Sequence, residues 1–469
     1  MTKRRGKSVP HNHSEGRLGR NRPAPVEPGE QEKLVQIEKP IYGGAFLSHM
    51  EGKAVFVPLT LPGEEVRVRI SEHKRGYATA EVEEIVAAAP GRVTPACRHF
   101  GACGGCHYQY AGYETQIAFK QAILRETLER GGVRAPQEIS LLRAETESQS
   151  WGYRNRIRLA LDDGGNPGYR GRRSHAVVPI AECPIAAPLL VEAAKDFAEV
   201  VRPFSRLLRP TEISLFCDGG ENSLLASVFT AGPVKDRAAQ EGFGEFSRAF
   251  AERVGAAKGL ELIEEGRAGE RGSTQPPRTV AQWGEPFLAY RAAGFDYRVD
   301  HGAFFQVNRW LVDGLVDAVT AGKKGAVAWD LFAGVGLFAR RLTESFARVI
   351  AVESAPPAVA ALKENLRGTT GTAVSAAALD FLNRNRSSKG ERPDLIVVDP
   401  PRTGLGAEIT SLLAEVGASE LTYVSCDPAT LARDLRALLA SGYEIQSATL
   451  ADLFPQTFHL ETVVHLRRS

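Results

Sequence analysis

Polar and apolar positions alternate in short runs across residues 33–86, with Gly43-Gly44 and Pro62-Gly63 as turn signals. Period-two stretches such as 65–70 and 80–86 predict short strands that curl into a small β-barrel. Such barrels bind oligonucleotides or act as neutral structural modules. Pro90 to Pro95 reads as a linker, followed by a cysteine-bearing segment. The pattern then becomes helical over 113–130 and closes at Gly131-Gly132. Residues 151–297 mix both periods, which predicts an α+β region with an exposed loop at 267–277, RAGERGSTQPP.

From residue 326 the rhythm is strand, helix, strand. VAWDLFAG, RVIAVES, DLIVVDP and LTYVSC are apolar runs of strand length, separated by helical text such as PPAVAALKENLR. That repeat predicts a doubly wound, mostly parallel sheet. The expected organisation is a tail at 1–30, a barrel at 31–89, a central α+β domain at 90–297 and a Rossmann-like domain at 298–469.

With 469 residues the chain is too long for one ordinary domain, and 43% hydrophobic against 24% charged residues is a globular balance. No run of about 18 apolar residues occurs, so no membrane helix is expected. The first residues lack an apolar stretch of signal-peptide type. Lys3, Arg4, Arg5, Lys7, Arg17, Arg20 and Arg22 stand against Glu15 and Glu27 there, which predicts a disordered basic tail with salt-sensitive affinity for phosphate backbones. Six cysteines are too few for a secreted disulfide scaffold and point to a metal site in a reducing cytoplasm. No obligate protein partner is inferred.

Chemistry concentrates in residues 421–434, LTYVSCDPATLARD. Cys426 ends a buried strand, Asp427 is a natural N-cap, and Pro428 opens a helix. A thiol between a sheet edge and a helix N-terminus is expected to favour thiolate. Asp330-Leu-Phe-Ala-Gly-Val-Gly336 lets a loop approach a ligand, although it lacks the full dinucleotide-binding spacing. Glu353 ends the next strand, where a carboxylate accepts ribose hydroxyls, and Asp399-Pro400-Pro401-Arg402 ends a later one. Cys97, Cys103 and Cys106, with Cys183-Pro184 further on, suit a four-thiolate site for either zinc or an iron–sulfur cluster. Cys217 lies outside that pattern and reads as a core thiol.

FFQVN, DLFAGVG, DPPR, SCDPATLARD and FPQTFHLE occur in this order. With the cysteine cluster they resemble the class I, S-adenosylmethionine-dependent RNA uracil-5 methyltransferases that carry an N-terminal TRAM barrel. The resemblance implies that the Cys426 thiolate attacks uracil C6, making C5 nucleophilic enough to take the sulfonium methyl, and that Glu461 then removes the C5 proton. It also implies that Gln306, Phe332, Glu353 and Asp399 line the cofactor or base pocket, with Asp399 on either. It implies a structural [4Fe–4S] cluster on Cys97, Cys103, Cys106 and Cys183, in preference to zinc. Some members carry Asn where this chain has Leu337, so no polar cofactor contact is assigned there.

Structured RNA, ribosomal or transfer, is the expected partner. Residues 151–175 carry Arg154, Arg156, Arg158, Arg170, Arg172 and Arg173 among Trp151, Tyr153 and Tyr169, a composition suited to phosphates and stacked bases. Phe304 or Phe305 is placed to hold an extruded base. Cytosine-5 methylation is the nearest alternative, but it calls for a cysteine beside the paired prolines, where Arg402 stands. A non-catalytic RNA-binding protein on the same fold is the other.

Overall fold

The computed structural model describes residues 32–231, 237–266, 277–386 and 392–468. The basic tail at 1–30 and nearly all of the loop at 267–277 lie outside the described residues. The chain divides into two compact units. One runs up to Lys39 and resumes over Ala45–Ala88; the other comprises Pro40–Gly44 and everything from Ala89.

The first unit is β-rich. Its strands lie in the spatial order Lys33–Gln36, Glu65–His73, Tyr77–Ala87, Lys53–Pro58, Ala45–Met50. Alternation sends Val66, Val68 and Ile70 inward to full burial, while Arg67 and Arg69 pair with Glu84 and Glu83 on the outside.

The second unit holds two large sheets. The C-terminal one has eight strands in the order Gly371–Ser375, Phe346–Glu353, Gly325–Leu331, Leu395–Val398, Glu420–Ser425, Glu461–Arg468, Tyr443–Ala451 and Ser140–Leu142. Neighbours are parallel except Glu461–Arg468, which runs antiparallel to the strands on both sides. Its central strands are Val-, Ile- and Leu-rich because helices cover both faces and leave no wet side to alternate with. The doubly wound expectation therefore holds. The edge strand Ser140–Leu142 comes from far upstream, beside the helix Tyr113–Arg130 that the periodicity predicted.

The other sheet contains Val177–Pro179, Pro167–Arg170, Arg156–Leu161, Pro210–Cys217, Leu224–Thr230, Ala257–Glu264 and Arg278–Gly284, in that order. The helices Pro188–Val201 and Arg237–Arg253 cover one face, where Ile157, Leu159, Ile213, Leu215, Cys217, Val228 and Leu262 form a core. No described helix is long and apolar enough to cross a membrane.

Candidate active site

Parallel strands deliver their C-terminal ends to one edge of a sheet, and there the acidic residues collect. Asp330 lies near the end of Gly325–Leu331, Glu353 closes Phe346–Glu353, Asp399 follows Leu395–Val398 and Cys426 follows Glu420–Ser425. The reversed strand Glu461–Arg468 begins at this edge instead of ending there. Ser425 pairs with Thr462, so continuing the register sets Cys426 opposite Glu461.

The loop after Asp330 is held in a left-handed conformation. Phe332 (φ 65°), Gly334 (φ 54°) and Gly336 (φ 91°) all have positive φ, a cost at Phe332 of about 1 kcal/mol that surrounding contacts must offset. A Cβ on Gly336 would come within 2.6 Å of the Leu362 side chain. Glu353 pins the loop: one carboxylate oxygen accepts from Gly334 N at 2.9 Å, and the other from Ser354 N and Ala355 N at 2.6 and 2.7 Å. Asp330 is fully buried. Its Oδ2 accepts from Ala339 N at 2.9 Å and its Oδ1 has no partner, so burial pushes the carboxyl up to about 8.

Phe304, Gln306, Phe332, Gly334, Leu337 and Asp399 line one cavity beside this loop. Three of the four residues expected at the cofactor or base pocket thus meet there, and Glu353 reaches it through Gly334. Leu337 supplies an apolar wall. Of the two phenylalanines, Phe305 is core, 4.4 Å between ring centroids from Tyr290, whereas Phe304 is 61% exposed at the rim.

The thiol does not match its expected state. Cys426 is half-buried and pushed up to about 12, by desolvation first and then by Glu461 and Asp399, with Arg402 opposing. The helix N-terminus cannot compensate, because the Asp427 carboxylate already accepts from Ala429 N (3.0 Å) and Thr430 N (2.9 Å). Glu461 is raised well above the carboxylate range by burial and by Asp399, and Asp399 is raised by burial. Cys426, Asp399 and Glu461 therefore form a proton-holding cluster with one cation, Arg402, beside it. In the sequence Arg402 stands in the DPPR motif and separates uracil from cytosine chemistry, with no role assigned to its charge. Tyr42, whose hydroxyl donates to the Cys426 carbonyl at 3.3 Å, carried no sequence signal at all.

The segment leading into Glu461 is tied down by side chains from distant parts of the chain. Lys120 pairs with Asp452 in full burial and donates to the Phe454 carbonyl at 2.9 Å. Asn308 donates to the Leu453 carbonyl at 3.1 Å and Tyr153 to that of Pro455 at 3.0 Å. Gln116 and Gln456 exchange two bonds, both 2.9 Å. Backbone N–H groups of His107 and Tyr108, just past Cys106, both donate to the Gln456 carbonyl at 2.9 and 3.0 Å.

Cys97, Cys103, Cys106 and Cys183 line a single cavity of about 40 Å³. Gly105 N donates to Cys103 Sγ at 3.4 Å, and Gly104 lies so close to the Arg170 carbonyl that a Cβ would fall 2.9 Å from it. Burial raises all four thiols. Among the described residues no group of three or more Cys, His, Asp or Glu side chains is placed to hold a metal ion, so the expected four-thiolate site is not seen as such. Cys217 is fully buried in the central core.

The arginine-rich stretch is less uniform than its composition. Tyr153 is fully buried and its hydroxyl is spent on Pro455, so it is no stacking platform. Arg154 turns to the cysteine cavity, whereas Arg156 and Arg158 lie over the buried Phe216 and Phe229 rings at 4.2 and 4.0 Å on the sheet face away from the helices.

A parallel sheet with one reversed strand, a glycine loop after the first strand and carboxylates at successive strand ends define the class I methyltransferase architecture. Residues 286–469 match the tRNA (Uracil-5-)-methyltransferase family and residues 25–82 the TRAM domain. A "23S rRNA (uracil(1939)-C(5))-methyltransferase RlmD" of Halomonas elongata is 33% identical over 435 residues, 89% of this chain and 85% of the relative. That of Methylococcus capsulatus is 31% identical, covering 97% and 100%. The crystal structure of Pyrococcus abyssi tRNA (uracil-54, C5)-methyltransferase with S-adenosyl-L-homocysteine shares the fold at a TM-score of 0.70 and 22% identity, covering 93% of this chain and all of that one. The chain belongs to the family of S-adenosylmethionine-dependent RNA uracil-5 methyltransferases.

Proposed function

We propose that this enzyme methylates C5 of one uridine in structured RNA, and that the RNA is the large ribosomal RNA. The observation that carries the mechanism is the register that sets Cys426 against Glu461 at the edge bearing the glycine loop. The ribosomal substrate rests on what the relatives of Halomonas and Methylococcus are named for.

Uracil C5 is a poor nucleophile. Addition of the Cys426 sulfur to C6 moves the C5=C6 electron pair onto C5 and O4, and C5 takes the methyl group from the sulfonium, leaving S-adenosylhomocysteine. Glu461 then removes the C5 proton, the C5=C6 bond reforms, and sulfur leaves as thiolate. One proton is released per methyl transferred, and the sulfonium charge is lost with it. The raised proton affinity of Glu461 suits it to take a proton from carbon. Arg402 is the cation that favours the anionic sulfur. Glu353 and the left-handed loop would hold the ribose and the methionyl end of the cofactor, with Gln306, Phe332 and Asp399 around it and Phe304 at the base.

The four cysteines fit a [4Fe–4S] cluster in donor set, shared cavity and an N–H···S bond to Cys103. Such a group, when bound, supplies a structural tie between the segment at 97–106 and Cys183; methyl transfer requires no redox partner. None of the six cysteines is joined in a disulfide.

Nucleoside mass spectrometry decides the reaction: ribosomal and transfer RNA from a strain lacking the enzyme are treated with it and S-adenosylmethionine. New 5-methyluridine in the ribosomal fraction is expected. In the transfer RNA fraction it would reassign the substrate; 5-methylcytidine, or no new nucleoside, would overturn the reading. Iron and sulfide in anaerobically purified protein are expected, and zinc without iron would replace the cluster assignment.

A further inference from the structure

Arg402 is the cation beside Cys426 and Glu461, yet its place in the chain does not by itself aim it there. Its backbone is fixed: Thr430 Oγ1 donates to its carbonyl at 3.2 Å, and Arg433 Nη2 donates to that of Thr403 at 2.8 Å. Its side chain is exposed and, among the described residues, enters no ion pair. A long exposed arginine loses rotamer entropy when held in one direction, and left alone it turns its head to water.

What holds it is His459. Arg402 Nη2 lies 3.2 Å from Nδ1 and 3.5 Å from Nε2 of that ring, so an accepting nitrogen is in reach in either tautomer. The ring itself is wedged in place. Phe458 packs on it at 4.2 Å between centroids, with Phe454 at 5.8 Å and His107 at 6.2 Å. Its backbone N–H donates to Thr457 Oγ1 at 3.2 Å. The same wall reaches the nucleophile, because Phe458 meets Tyr42 edge-on at 5.6 Å and Tyr42 donates to the Cys426 carbonyl. One set of aromatic rings therefore braces both the Cys426 backbone and the charge that acts on its sulfur.

The kind of partner matters. A carboxylate would orient the guanidinium equally well but cancel its charge, whereas a neutral imidazole orients it and leaves the charge to act on the sulfur. Burial first, then Arg402, His107, Lys120 and Arg154, push the His459 ring down to about 3, so it is uncharged at neutral pH. We propose that His459 is the positioning residue for Arg402, holding its guanidinium toward Cys426 so that the sulfur becomes anionic beside a fixed counter-charge. The inference rests on the mechanism proposed above and adds to it a residue that acts only through Arg402.

The test reads charge at the sulfur without turnover. Full-length protein at about pH 8 is alkylated with neutral iodoacetamide or with anionic iodoacetate of similar size, and the peptide bearing Cys426 is quantified by mass spectrometry. A positive charge beside the sulfur favours the anionic reagent, so the ratio of the two rates reports that charge while accessibility cancels. Arg402→Gln should lower the ratio about fivefold, and His459→Leu nearly as much. Both changes together should add nothing further, because each removes the same interaction. His459→Gln retains an acceptor and should restore most of the wild-type ratio. Glu461, Asp399 and Tyr42, which also face the thiol, are the same throughout this set. A wild-type ratio in His459→Leu, or losses that multiply in the double variant, would overturn the proposal. Should the leucine variant not fold, His459→Phe supplies a ring without an acceptor, and a wild-type ratio there is equally fatal. A protein that shows the expected pattern yet methylates no uridine would refute the proposed reaction and leave the pairing of His459 with Arg402 standing.

Discussion

Ser425 and Thr462 face each other across an antiparallel strand pair, and this register sets Cys426 against Glu461. Had the final strand run parallel like its neighbours, its first residue would lie at the opposite edge of the sheet. In the proposed mechanism, a nucleophile and a base 35 positions apart in sequence would thereby act on adjacent carbons of one ring.

The order of bond making follows. Cys426→Ala should abolish methyl transfer, since nothing else activates C5. Glu461→Gln should permit addition and methylation but stall elimination, so that a covalent RNA–protein species survives denaturing electrophoresis. Turnover by the alanine variant at more than about 1% of wild type would remove Cys426 from the mechanism.

Activity should climb with pH. Cys426, Asp399 and Glu461 are all raised and hold their protons, whereas addition needs an anionic sulfur and elimination an anionic carboxylate. Single-turnover rates should therefore increase through neutral pH into the alkaline range. A profile that falls over this interval would mean a protonated group is required.

Stability should move the opposite way. The folded pKa of Asp330, about 8, lies above its ordinary 3.8. Its contribution is thus fully present below about pH 4 and lost as pH rises through about 8. The wild-type melting temperature should fall between about pH 5 and pH 9, and Asp330→Asn should flatten that fall by several degrees. Equal pH dependence in both proteins would contradict the buried, unpartnered carboxyl.

Loop shape makes a further prediction. Gly336→Ala adds left-handed strain and a 2.6 Å approach to Leu362, while Gly334→Ala adds strain in open space. The first should cost about 2 kcal/mol or more and the second about 1. Thermal melts and S-adenosylmethionine titration would rank them.

Lys120→Met should be worse than either. It strands the Asp452 carboxylate in full burial, a loss of about 3–5 kcal/mol, and a second change, Asp452→Leu, should restore most of it. Chemical denaturation of the three variants measures this directly.

Much of this site was legible because sheet edges obey simple rules. Apolar runs ending in Asp330, Glu353, Asp399 and Cys426 place those residues together once the strands are read as parallel. The helix over Tyr113–Arg130 and the Asp427 cap were equally plain. What was not legible depends on burial, which local pattern does not encode. Cys426 looked activated by its helix, yet desolvation and two carboxylates outweigh that. Tyr153 looked like an RNA contact among arginines, yet it anchors Pro455 from inside. Arg156 and His301, far apart in sequence, line one cavity only because the central sheet meets the hairpin of strands Phe287–Ala292 and Phe295–Asp300.

The upstream edge strand has a practical consequence. Ser140–Leu142 extends the methyltransferase sheet alongside Tyr443–Ala451, and the helix before it supplies Gln116 and Lys120 to the segment leading into Glu461. A fragment beginning near residue 298 would leave a bare strand edge, prone to pair with other copies, and an untethered segment before Glu461. Anyone grafting this catalyst onto a different RNA-binding module would have to transplant residues 113–142 with it, so the portable piece is discontinuous in the gene.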